Sequence, residues 1–120
     1  MLRSLSLALC LLAGAAPAQS VATSNGTGAV LRGLDKLTGR ASDLELRSGE
    51  TASFGRIEIA LQECRYPEGD EAGDAFAFVT VREAGNPDPV FRGWMIASSP
   101  ALNAMEHQRY DVWALRCTTS

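Results

Sequence analysis

The sequence predicts an all-β protein: a small antiparallel β-sandwich or barrel with one short helical lid and a single disulfide. Three observations carry this. Apolar residues recur at every second position in short runs, as where Ile57, Ile59 and Leu61 alternate with Arg56, Glu58 and Gln62, which is the period of a strand with one wet face. Clusters of Gly, Pro, Asn and Asp separate the runs, and no stretch keeps a long helical period. Two of the three cysteines, Cys64 and Cys117, stand far apart in the body of the chain.

The chain has 120 residues, 46% hydrophobic and 21% charged, which suits one packed domain and excludes the large nucleotide-binding and barrel architectures. Eleven basic residues against fourteen acidic ones, with no basic block, make nucleic acid an unsuitable partner, because neutralising phosphates needs clustered cations. Arg3, the apolar run from Leu5 to Ala16 and the sequence Ala16-Pro17-Ala18 predict a secretory signal peptide over 1–18, cut after Ala18. The run is shorter than the roughly twenty residues of a membrane span, so no transmembrane segment is expected in the mature chain. Cys10 lies within the signal, follows Leu9 instead of a small residue, and is no acylation site. Cys64 and Cys117 then remain in an oxidising compartment, where a disulfide is the expected outcome. Closing a loop of about fifty residues stabilises by about 4 kcal/mol in the chain-entropy view. Two isolated cysteines and one histidine match no zinc spacing, and no metal or cofactor is expected.

Residues 19–29, small and polar, read as a mobile arm, and 30–120 as one β-domain. A strand from Val30 leads to a turn at Thr38-Gly39. Leu44 and Leu46 alternate with charges, and Ser48-Gly49-Glu50 turns the chain. In the strand beginning near Ile57, parity puts Cys64 on the wet side, so either a bulge re-aims it or the disulfide lies at the strand end. Ala75–Val81 is apolar on both faces and suits a central strand covered on both sides. The segment Gly85–Pro89, with two prolines, ends it. A strand from Val90 to Ala97 carries Trp94. The last, Tyr110–Cys117, is expected to hold Trp113, Leu115 and Cys117 on one face. Between them Ser98–His107 reads as a lid of one or two turns, with Ser99 as N-cap and Pro100 at the first helical position. Leu102 and Met105 would press on the sheet edge.

Few residues suggest chemistry. His107, the one histidine, has Ser98 and Ser99 before it and Asp111 after it, but neither serine sits on a glycine-flanked nucleophile turn. No catalytic residue is assigned. Glu106, His107 and Asp111 form a weak ligand or cation site at the sheet end. Glu68, Asp70, Glu71 and Asp74 read as a solvated hairpin tip lacking the spacing of a calcium loop. Trp94, Met95 and Tyr110, with Leu102 and Met105 of the lid, are expected to edge an exposed patch that takes a protein partner.

Longer stretches carry a resemblance: Leu31–Arg40, Gly55–Ile59, Phe91–His107 with its Gly93-Trp94-Met95 and Ser98-Ser99-Pro100-Ala101-Leu102-Asn103-Ala104, and Tyr110-Asp111-Val112-Trp113 with Cys117. Together they resemble the exported alphaproteobacterial family catalogued as domain of unknown function 2155, with departures at Ile96 and Gln108. The family carries no established activity, so the resemblance implies no site residues. Genes of the family often lie beside one for an accessory subunit of respiratory complex I. The resemblance therefore implies a periplasmic, non-enzymatic accessory role on a membrane complex, with a subunit of that complex as partner.

Overall fold

The computed structural model describes residues 22–120, so the leader over 1–18 lies outside the described residues. Eight strands follow one another: β1 (Thr23–Asn25), β2 (Gly28–Asp35), β3 (Ala41–Arg47), β4 (Thr51–Phe54), β5 (Ile57–Pro67), β6 (Phe76–Glu83), β7 (Pro89–Ile96) and β8 (Tyr110–Thr118). They form two antiparallel sheets. The larger runs β1-β5-β6-β7, with β4 also on β5; the smaller runs β3-β2-β8. The sheets face each other as a sandwich, burying Leu31, Val112 and Ala114 of the smaller against Ile57, Ile59, Leu61, Val79 and Val81 of the larger. Alternation along each strand is what allows one face to be apolar and the other wet.

Two extra residues decide where the sulfurs go. The β5–β6 register shifts between Leu61 and Glu63, leaving Gln62 unpaired. The β2–β8 register shifts at Val30/Leu31, leaving Leu115 unpaired on β8. Each insertion reverses strand parity. Cys64 therefore lies opposite Ala77, and Cys117 opposite Ala29, both inward. They form the Cys64–Cys117 disulfide with Cα atoms 5.6 Å apart, tying one sheet to the other. The expected shared face of Trp113, Leu115 and Cys117 is corrected by the same bulge: Cys117 is buried, whereas Trp113 is half-buried on the outer face.

Within the segment expected as an arm over 19–29, Thr23–Asn25 form β1, which pairs with the end of β5, Asn25 opposite Arg65, and β2 begins at Gly28. The chain then crosses between sheets beside the disulfide. Gly26 donates its N–H to the Cys64 carbonyl at 2.7 Å, and a Cβ there would collide with the Thr118 carbonyl and Cys117. Strand β4 was not foreseen. It forms a hairpin with β5 through Gly55-Arg56, where Gly55 has φ +57° and its missing side chain makes room for Tyr110.

The lid is a single 3₁₀ turn, Pro100–Asn103. Pro100 opens it as expected, but Ser99 makes no side-chain cap bond. Leu102 stays exposed, while Met105 reaches the core from the extended segment that follows. Within the turn, Asn103 donates from Nδ2 to the Trp94 carbonyl at 2.9 Å, satisfying part of the open edge of β7.

Candidate functional site

The outer face of the larger sheet carries an aromatic strip. On β6 and β7, Phe78 stands directly opposite Trp94 and Phe76 opposite Ile96, so four apolar side chains point away from the core on neighbouring strands. The Phe78 and Trp94 rings meet edge to face at 5.1 Å, a favourable aromatic geometry. The Arg92 guanidinium lies over the Phe78 ring, 5.6 Å from its centroid. A shallow groove of about 320 Å³ is lined by Thr23, Arg65, Phe76, Trp94 and Ile96. Strand β6 was expected to be covered on both faces. Only its inner face is covered by the second sheet, which leaves Phe76 and Phe78 half-buried.

Of the five residues expected to edge an exposed patch, the structure keeps two. Trp94 is 36% and Leu102 73% exposed. Met95, Met105 and Tyr110 are buried in the core. Parity explains Met95, since it follows Trp94 on β7 and must face the opposite way. Tyr110 faces inward as the partner of Asp35 on β2. The sequence pointed to Trp94, but Phe76, Phe78 and Ile96 were missed, since a doubly apolar strand reads as interior.

At one end of the sandwich lies a polar cluster. Arg109 donates from Nη2 to Oδ2 of Asp35 at 2.8 Å and from Nε to Oδ1 at 3.1 Å. This fork holds the Asp35 carboxyl well below its usual range, at about 2, against an opposing push from burial; N–H donation from Leu37 and Thr38 adds to the lowering. His107 accepts the backbone N–H groups of Arg109 and Tyr110 on Nδ1, at 3.0 and 3.1 Å. The ring hydrogen is thereby assigned to Nε2, which donates to Glu83 at 2.9 Å. Lys36 donates to the His107 carbonyl.

The expected grouping of Glu106, His107 and Asp111 does not assemble. His107 lines a hollow with Arg56, Glu83 and Arg109. Asp111 lines a different one with Pro100, Ala104 and Trp113, and its Oδ1 accepts the N–H of Val112. Glu106 is exposed. Ser98 gives its hydroxyl to Asp74 at 2.6 Å, so Ser98, His107 and Asp111 do not form a triad either. Asp74 also accepts the N–H groups of Ser98 and Ala75. Burial pushes its carboxyl up, but these bonds outweigh it and hold the group below its ordinary value. Asp74 thus pins the acidic loop to the lid. Among the described residues, no three of His, Cys, Asp and Glu gather as a metal site, and no helix is long and apolar enough to cross a membrane.

Fold and disulfide define a small, covalently stapled antiparallel sandwich. The chain belongs to the family described as "Uncharacterized protein conserved in bacteria (DUF2155)", whose model matches residues 29–117. It is also similar to "Uncharacterized protein RP359" of Rickettsia prowazekii (strain Madrid E), 31% identical over 96 residues, covering 78% of this chain and 62% of the relative. The chain thus spans less than two thirds of that relative's length. No solved structure matches the chain.

Proposed function

We propose that this protein is an exported, non-enzymatic interaction module, processed after Ala18 and acting in the periplasm, that docks on a protein partner through the outer face of its larger sheet. The observation that carries the reading is the Phe76–Phe78–Trp94–Ile96 strip, which leaves aromatic side chains half-buried where a second layer would otherwise cover them. Arg65 and Arg92 flank the strip, and aromatic anchors rimmed by arginine are the usual composition of interface centres. The pairing of Cys64 with Cys117 supports an oxidising compartment. The complex I neighbourhood implied by the family makes a respiratory membrane-complex subunit the partner to test.

The test places a photoactivatable residue at Ile96 in cells, with Glu45 on the smaller sheet as control. Adducts with a respiratory-chain subunit from position 96 alone, lost on Trp94→Ala, are the expected result. Equal adducts from both positions, or none, would remove the reading.

A further inference from the structure

The polar end of the sandwich encloses a hollow of about 360 Å³ lined by Arg56, Glu83, Ala84, His107, Arg109 and Tyr110, within the size range of small-ligand sites. Its donors outnumber its acceptors. Glu83, the lining carboxylate, already accepts the Nε2 hydrogen of His107. The Arg56 side chain has no hydrogen-bond or ion-pair partner among the described residues, and Arg109 commits Nε and Nη2 to Asp35 while its Nη1 stays uncommitted. Tyr110 is 2% exposed, and its hydroxyl oxygen accepts the Arg56 N–H at 3.0 Å. The hydroxyl's own hydrogen has no acceptor among the described residues, and a buried donor without a partner is costly to leave so.

We propose that this hollow is an oxyanion site, taking a small carboxylate or phosphate between Arg56, Arg109 and the Tyr110 hydroxyl. Guanidinium groups match both oxyanions by their planar fork. The existing bonds preorganise the site: Asp35 fixes one face of Arg109, and the Arg109 guanidinium lies 5.1 Å from the Tyr110 ring centroid. The Tyr110 oxygen, by accepting from Arg56, fixes the turn that presents the second cation. His107 keeps the Glu83 carboxylate engaged, which reduces its repulsion of an incoming anion. The site is separate from the aromatic strip and stands whether or not that strip binds a partner.

The experiment titrates the disulfide-bonded protein with inorganic phosphate and, separately, with succinate, at ionic strength held constant by sodium chloride, and follows the amide resonances of Arg56 and Tyr110. Saturable shifts with phosphate alone assign a phosphate ligand, and with succinate alone a carboxylate. Arg56→Gln, at an exposed turn position, should weaken the response about tenfold, and Tyr110→Phe should weaken it as well. Arg92→Gln, on the outer face of the larger sheet, should not. Shifts that chloride reproduces, no saturation with either anion, or an Arg56→Gln protein that binds like the parent would overturn the proposal.

Discussion

Cys64 and Cys117 meet because the strand carrying each one gains an unpaired residue before it, Gln62 on β5 and Leu115 on β8. Were Gln62 and Leu115 paired in the ladders instead of bulged out, both sulfurs would face away from the partner sheet. The bulges are therefore structural requirements of the disulfide and not irregularities of the ladder.

Deleting Gln62 should remove the bulge yet keep Cys64 inward opposite Ala77, because Leu61 and Cys64 then lie two positions apart on one face, so the Cys64–Cys117 bond should still form. Thiol counting under denaturing conditions checks this; a deletion variant with two free thiols would contradict it. Replacing both cysteines by alanine keeps the registers but releases a loop with a separation of 53 residues. The expected loss is about 4 kcal/mol, read as a lower urea midpoint.

Acid should weaken the fold in a defined window. Asp35 is lowered in the folded protein to about 2 from 3.8, so its stabilisation is complete above the unfolded value. It is lost as pH falls from about 4 through about 2. Asp74, also lowered, acts in the same direction. Urea midpoints measured across this range should fall steeply for the parent and less steeply for Asp35→Asn, which starts from a lower stability near neutral pH.

Gly55 and Gly39 offer a matched comparison. Both have positive φ, +57° and +79°, but a Cβ at Gly39 meets open space, whereas one at Gly55 runs into the Tyr110 hydroxyl. Gly39→Ala should cost about 1 kcal/mol from backbone strain alone. Gly55→Ala should cost more, about 2–3 kcal/mol, because the Tyr110 contact to the Arg56 N–H is disturbed too. Equal losses in chemical denaturation would show that the Tyr110 contact is not the source.

Asn103→Ala should remove the bond to the Trp94 carbonyl and cost about 1 kcal/mol. Hydrogen exchange should quicken in the lid and along the open edge of β7, and the rest of the sandwich should be unchanged.

Much of the fold was legible because alternation is strict where one face is buried. Ile57, Ile59 and Leu61 fixed β5, and Leu44 and Leu46 fixed β3. The same rule failed where an insertion breaks it. Parity put Cys64 on the wet side and Trp113 beside Cys117, and a bulge has no residue signature comparable to a glycine turn. The β-sheet edges misled in another way: Thr23–Asn25 is polar because it lies at an edge, and composition alone cannot distinguish that from an arm. At the candidate sites, Trp94 announced itself by size beside Gly93. Phe76 and Phe78 looked like interior residues, because a sequence shows that both faces of β6 are apolar but not that only one has a second sheet on it. Arg56 comes from the β4–β5 turn, whereas Arg109 and Tyr110 stand together at the entry to β8, so no spacing could bring the first to the other two on paper.

The disulfide clasps only one end of the sandwich. Cys117 stands opposite Ala29 there, while at the far end Tyr110 stands opposite Asp35 and the sheets are held by side chains alone. The molecule is thus hinged like a book with a sewn spine. Swelling by heat or denaturant begins at the leaves, beside Arg109 and His107, and the two pages that must find each other again on cooling never drift out of reach.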